Sequence, residues 1–178
     1  IQLMIGLPGD TCELDLYSAR ETVTISPSIA RLYPTVVIPD TELHKMFLQG
    51  RYCPMQQEDA IIRTAAMYRI LDSAGINIIR VGLKSSDIIN GKNMQAGTFH
   101  PAFRQLVEGK IAQEDLDIQL RGCKPNTSVC CVSHPDSFNN MIGHKAVNKK
   151  YFSSAYPDLR ISYKADGNMR KGTYSIKF

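Results

Sequence analysis

No stretch of this 178-residue sequence reaches the ~20 consecutive apolar residues that cross a bilayer, which excludes a helical membrane span. No two of its five cysteines stand at Cys-x-x-Cys spacing, and no histidine lies near enough in sequence to complete a zinc set. An odd, scattered count also argues against a secreted disulfide framework. Cys130 and Cys131 are adjacent in the apolar run Val129–Val132, so as strand neighbours they face opposite sides; buried structural thiols are expected. The Gly-x-Ser-x-Gly elbow of hydrolases and the Gly-x-Gly-x-x-Gly dinucleotide fingerprint are both missing. There is no internal repeat and no low-complexity segment. The chain also lacks an initial methionine and a charged-then-apolar leader. It opens on Ile1–Leu7, which reads as a buried strand, so the expectation is a trimmed edge with an N-terminal half missing.

What is present is enough for one ordinary core, since 43% of the residues are hydrophobic. Through about residue 110 the pattern alternates strand and helix. Near-continuously apolar strands over 1–7, 29–38 and 76–83 predict parallel pairing with both faces covered. Thr11 caps a helix with Glu13 and Asp15 in its first turn, and Ser26-Pro27 stops it. Pro34 should bend or end the second strand. Thr41 caps a short helix to Leu48, closed by Gly50. Helical spacing of Ile61, Ile62, Ala65, Met67, Tyr68 and Leu71 predicts a helix from Gln57 to Ala74, with Gly75 beyond it. A polar loop over Ser85–Thr98 precedes a helix started by His100-Pro101, with Pro101 at the first helical position. His100 either overhangs a barrel mouth or organises that turn.

The net charge of +4 conceals an asymmetry. Residues 1–120 hold 11 Lys/Arg against 14 Asp/Glu, whereas residues 121–178 hold 10 against 3, a net of +7. In that basic part the pattern predicts a strand over Ser128–Val132 and one helix over Asp136–Phe152. Strands over Leu159–Lys164 and Thr173–Phe178 are joined by an Asp166-Gly167 turn. Lys145 and Lys149, four apart, would share a face of the helix, flanked by Lys150 and with Tyr151 and Phe152 adjacent. His134, His144 and Asn148 belong to the same cluster. Basic residues beside aromatics suit nucleic-acid contact; an amphipathic helix docked on a small sheet explains the same pattern.

Two stretches carry a resemblance. One is Met4-Ile5-Gly6-Leu7-Pro8-Gly9-Asp10-Thr11; the other is Leu32-Tyr33-Pro34-Thr35-Val36-Val37-Ile38, followed by Thr41, Leu43 and Gly50-Arg51-Tyr52. Together they resemble the later strands of the radical S-adenosylmethionine (SAM) barrel, in the Elongator catalytic-subunit type and its bacterial relatives. Oxygen-independent coproporphyrinogen oxidase is a more distant cousin. Ile79-Arg80-Val81-Gly82-Leu83 sits where that type carries its next arginine-containing strand. The resemblance implies an α/β fold: the C-terminal half of a βα barrel over 1–110, and a small basic α+β domain over 111–178. It implies a parent enzyme that holds a [4Fe–4S] cluster and SAM, cleaves SAM reductively and abstracts a substrate hydrogen, with RNA or another anion as substrate. The family's Cys-x-x-x-Cys-x-x-Cys motif has no match here, so neither cofactor is expected to be bound by this fragment, and the fragment alone is expected to be inactive. By the same resemblance Met4, Gly6, Gly9, Tyr33, Pro34 and Thr35 face the cofactor, Gln2 meets its ribose, and Arg80 holds a carboxylate or phosphate. Lys145, Lys149 and Lys150 are the nucleic-acid candidates, no membrane partner is expected, and the expected setting is the cytoplasm. The alternative is a non-catalytic nucleic-acid-binding α/β module.

Overall fold

The computed structural model describes residues 1–84 and 94–178, so part of the loop expected over Ser85–Thr98 lies outside the described residues. Contacts divide the chain into two compact units, Ile1–Arg104 and Gln105–Phe178.

The first unit runs β1 (Gln2–Ile5), α1 (Cys12–Ile25), β2 (Ile29–Pro34), β3 (Val36–Val37), α2 (Glu42–Leu48), α3 (Gln57–Ser73), β4 (Asn77–Val81) and β5 (Ala96–Gly97). The three longer strands form a parallel sheet in the order β1-β2-β4, as the strand–helix alternation predicts. Both predicted N-caps form: Thr11 accepts from Leu14 N–H and Thr41 from His44 N–H, each at 3.2 Å. At the far end of α1, Ser26 turns left-handed (φ 51°) before Pro27.

α1 and α3 pack together. Between them Asp15, 3% exposed, accepts from Arg63 at 3.1 Å. Burial pushes the Asp15 carboxyl up, against the pull of the Arg63 hydrogen bond. The core comprises Ile5, Ala30, Leu32, Ile78 and Val81 from the sheet, with Ala19 of α1 and Ala60, Ala65, Met67 and Leu71 of α3. Ile62, predicted on the apolar face of α3, is instead 42% exposed.

Coverage of the sheet differs from expectation. Burial alternates along the strands: Ala30 and Leu32 are buried while Ile29 and Arg31 are exposed, and Ile5 is buried while Gln2 and Met4 are exposed. Alternation of this kind means that one face packs against helices and the other is open. The apolar runs could not reveal this, because Ile29, Met4 and Ile79 on the open side are as apolar as their buried neighbours.

Pro34 ends its strand as predicted. Past Thr35 the chain changes partner, and β3 pairs antiparallel with β5 rather than extending β2. The next helix, α4 (Phe103–Leu120), begins two residues later than Pro101 suggests. His100 Nδ1 accepts from Ala102 N–H at 3.1 Å and its carbonyl accepts from Phe103 N–H at 3.0 Å. Pro101 therefore lies in a turn that His100 organises.

The second unit contains the rest of α4, then β6 (Ser128–Ser133), α5 (Phe138–Ile142), α6 (Val147–Ala155), β7 (Arg160–Ala165) and β8 (Tyr174–Lys177). Two corrections arise. The helix predicted over Asp136–Phe152 is broken: a 3-10 turn over Pro135–Ser137 leads into α5, and a second over His144–Ala146 separates α5 from α6. Gly143 (φ 80°, ψ 156°) makes the break, in a region of backbone space open essentially to glycine alone. β7 and β8 also do not pair as a hairpin. β6 lies between them, parallel to β7 and antiparallel to β8. The Asp166 turn is present, with Asp166 Oδ1 accepting from Asn168 N–H at 3.0 Å, but the interposed strand is a long-range pairing that local turn chemistry cannot show.

Of the cysteines, Cys131 is buried and its neighbour Cys130 half-buried, in keeping with opposite faces. Cys12 and Cys53 are exposed. Burial pushes the Cys131 thiol up to about 12, so it is an inert packing group. Among the described residues no helix is long and apolar enough to cross a membrane.

Candidate functional site at the strand ends

In a parallel sheet all strands finish at the same edge, and ligand-facing groups collect there. At this edge β1 leads into Gly6, β2 into Thr35 and β4 into Gly82. Thr35 N–H donates to Ile5 O at 2.9 Å and Gly82 N–H to Leu32 O at 2.8 Å, which continues the ladder up to the rim.

The turn after β1 is tied down locally. Asp10 Oδ2 accepts from Leu7 N–H at 2.8 Å, and Asp10 N–H donates to Leu7 O at 3.0 Å. Gly9 inside the turn has φ 85° and nothing within 4 Å of where a side chain would begin, so its backbone borders open space. Gly6 (φ 82°) is crowded instead, since a methyl there would meet Met55 Cε at 2.9 Å. The buried Tyr52 hydroxyl donates to Gly6 O at 2.6 Å, and burial pushes that phenol up.

Beside this rim lies a cavity of about 380 Å³ lined by Phe47, Cys53, Met55, Gly97, Thr98 and Phe99 among others. Two of its walls belong to the rim: Met55 packs on Gly6, and Gly97 lies so close that a methyl there would meet Thr35 O at 2.9 Å. Thr35 is 5% exposed, and its hydroxyl has no hydrogen-bond partner among the described residues. A buried hydroxyl without a partner is costly, and a polar ligand atom is one way to satisfy it. The cavity wall is partly aromatic and thioether, from Phe47, Phe99 and Met55, while Gly9 and Thr35 lie outside its lining.

The sequence-predicted residues fall into two groups. Met4, Gly6, Gly9, Tyr33, Pro34 and Thr35 lie at the rim or in the row immediately below it, where Met4 and Tyr33 are register partners. Tyr33, Pro34 and Thr35 are buried, while Met4 and Gly9 are exposed. Gln2 and Arg80 lie two residues deeper than the Met4–Tyr33 pair, both in register with Arg31, away from the rim. Tyr52, Met55 and Asp10 were not foreseen as site residues. Asp10 and Tyr52 each stood inside a quoted motif, the first in Met4–Thr11 and the second in Gly50-Arg51-Tyr52, whereas Met55 carried no signal. Among the described residues no group of three His, Cys, Asp or Glu side chains can hold a metal, so no cluster ligand is assigned to them.

In the second unit Lys145, Lys149 and Lys150 are exposed, but not on one helical face. Lys145 sits in the left-handed turn before α6 (φ 52°), while Lys149 and Lys150 line a shallow groove along α6 with Ser153 and Ser154. Asn148, 3% exposed, holds the junction: its Nδ2 donates to Gly109 O at 2.8 Å and Asn140 O at 3.1 Å. The predicted aromatics serve the fold. Phe152 is in the core, and the Tyr151 and Tyr156 hydroxyls donate to Asp117 at 2.9 and 2.7 Å, where Arg121 also pairs. Burial and the hydrogen bond to Asp117 push the Tyr156 phenol up to about 12. His134 Nδ1 accepts from Asp136 N–H, and His144 Nδ1 lies 3.4 Å from Gln105 Oε1, so both have local structural partners.

Residues 27–113 match the family model of the Radical_SAM C-terminal domain. Two curated proteins are similar over a shorter stretch. They are the tRNA uridine(34) acetyltransferases of Methanocaldococcus infernus and Methanocaldococcus jannaschii, each 37% identical over 62 residues. The matched stretch is 33% of this chain and 12% of each relative. The parallel sheet and its strand-end rim stand in line with these similarities, in which residues 27–113 of this chain are similar to the Radical_SAM C-terminal domain.

Proposed function

We propose that this chain is the C-terminal part of a radical SAM enzyme acting on RNA. Its first unit would be the later strands of the barrel, and its second a small basic domain that contacts the substrate. The observation that carries the reading is the unpaired, buried Thr35 hydroxyl at the parallel strand ends, beside the cavity at Met55 and Gly97. There Thr35 supplies a hydroxyl to a bound nucleoside, Gly9 offers open backbone, and Met4, Gly6, Tyr33 and Pro34 shape the apolar wall. Bound SAM, joined to a [4Fe–4S] cluster carried elsewhere in the parent, would supply radical hydrogen abstraction. The residues of this chain bind, orient and exclude water.

RNA as substrate is supported by the relatives' modification of tRNA and by the exposed Lys145, Lys149 and Lys150. The test is to clone the intact reading frame, purify the product anaerobically, and measure 5′-deoxyadenosine release from SAM with a reductant and tRNA. Release that falls several-fold in Thr35→Val supports the reading. An intact frame that carries no Cys-x-x-x-Cys-x-x-Cys motif and releases no deoxyadenosine overturns it, and leaves an RNA-binding module without catalysis.

A further inference from the structure

The pairing of β2 with β4 is irregular at one place, and the irregularity decides where an arginine goes. Ala30 pairs with Ile78, but Arg31 pairs with Arg80, not with Ile79, because Ile79 is an extra residue bulged out of the ladder. Side chains alternate along a strand, so without the bulge Arg31 would face Ile79 and Arg80 would face Leu32 on the helix-covered side. With it, Val81 takes the place beside Leu32 in the core, and Arg80 turns to the open face beside Arg31. Bulges re-aim side chains in this way, and they are over-represented next to functional sites.

The result is a row across three strands: Gln2 beside Arg31, and Arg31 beside Arg80, all three exposed. Adjacent strands lie about 4.8 Å apart, so two guanidinium groups share one patch. Like charges directly opposite each other destabilise a sheet. Neither arginine has an ion-pair or side-chain hydrogen-bond partner among the described residues to offset this. Met4, Ile29 and Ile79 lie on the same face, so no carboxylate among these neighbours neutralises the two arginines.

We propose that Gln2, Arg31 and Arg80 form a binding site for a small oxyanion of the phosphate class. Two guanidinium forks and an amide present more donors than the two oxygens of one carboxylate can use. A phosphate dianion has the oxygens to accept from both forks and from Gln2 Nε2, and it balances the two positive charges. The site rests on the sheet register alone, so it stands or falls separately from the proposed radical reaction.

The experiment uses the isotopically labelled chain, with inorganic phosphate titrated at low, constant ionic strength while the arginine Nε–Hε resonances are followed. Arg31 and Arg80 should shift together and saturate, while exposed Arg20 on α1 should not. Arg31→Gln and Arg80→Gln should each weaken binding about tenfold or more, the scale of losing one charge-assisted pair, and Gln2→Ala less. Because all three side chains are exposed, the variants should keep the wild-type amide spectrum elsewhere. The proposal is overturned if the two resonances move without saturation like Arg20, if either arginine variant binds as tightly as wild type, or if acetate saturates the pair as well as phosphate does.

Discussion

Asn148→Ala should destabilise the chain by about 2–4 kcal/mol, far more than its place in a polar, basic segment suggests. The side chain is 3% exposed, and its Nδ2 reaches three carbonyls: Gly109 at 2.8 Å, Asn140 at 3.1 Å and Met141 at 3.4 Å. An amide nitrogen has two protons, so two of these bonds are full-strength and the third is shared. Removing the donor leaves at least two carbonyls short of partners, at about 1–3 kcal/mol each when buried. Against a total stability of about 5–15 kcal/mol this is a large share. Urea unfolding followed by circular dichroism would register it as a midpoint lower by about 0.7–4 M, given a slope of about 1–3 kcal/mol per M. Asn148→Asp should be worse than alanine, because it replaces the donor with oxygens facing carbonyl oxygens. Exposed Asn139→Ala, on the neighbouring helix α5, should change stability by less than about 0.5 kcal/mol. A loss below about 1 kcal/mol in Asn148→Ala, or an Asp variant more stable than the Ala variant, would refute the assignment of Asn148 as the brace of this junction.

Other perturbations probe the same regions. Gly143→Ala should cost more than about 2 kcal/mol in the same assay, because φ 80° and ψ 156° strain any side chain and a methyl would meet Asn148 N and Cγ, each at 2.8 Å. At Asp117 burial works to raise the carboxyl, but hydrogen bonds from Tyr156, Tyr151 and Arg121 outweigh it and hold the pKa below its ordinary 3.8. The stability this contributes is present at neutral pH and is lost as pH falls through the lowered value, so Asp117→Asn should flatten the acid limb of a stability-against-pH curve. For RNA, replacing Lys145, Lys149 and Lys150 with Ala should flatten the slope of log K against log salt by about two to three, if each meets a phosphate. Because Lys145 lies in a turn apart from the α6 groove, Lys149→Ala/Lys150→Ala should remove about two of those units and Lys145→Ala about one; a wild type that does not bind at low salt would exclude the surface.

Much of the first unit was legible because its signals are local. Thr11 and Thr41 cap their helices wherever they stand, Pro34 cannot donate to a ladder in any context, and the α3 spacing marks a helix before it has a partner. The Gly-Leu-Pro-Gly turn and the Tyr33-Pro34-Thr35 segment likewise pointed to the strand-end edge. The pairing of β6 between β7 and β8 was not legible. It joins residues about thirty to fifty apart, whereas the Asp166-Gly167 turn signals only that the chain reverses. The break in the helix over 136–152 was half-legible, since Gly143 stood in the pattern, but only the positive φ and the Asn148 contacts show it as a helix end.

The amino-acid order by itself determined the parallel βα succession, the caps and stops of the helices, and the concentration of positive charge after residue 120, because each depends on residues close in sequence. The tertiary structure alone decided which face of the sheet is covered, that Thr35 is buried beside Gly97 with its hydroxyl unpartnered among the described residues, and that a single extra residue, Ile79, brings Arg80 to the side of Arg31. A one-residue change of register reverses the face of every side chain beyond it, and no local propensity carries that information.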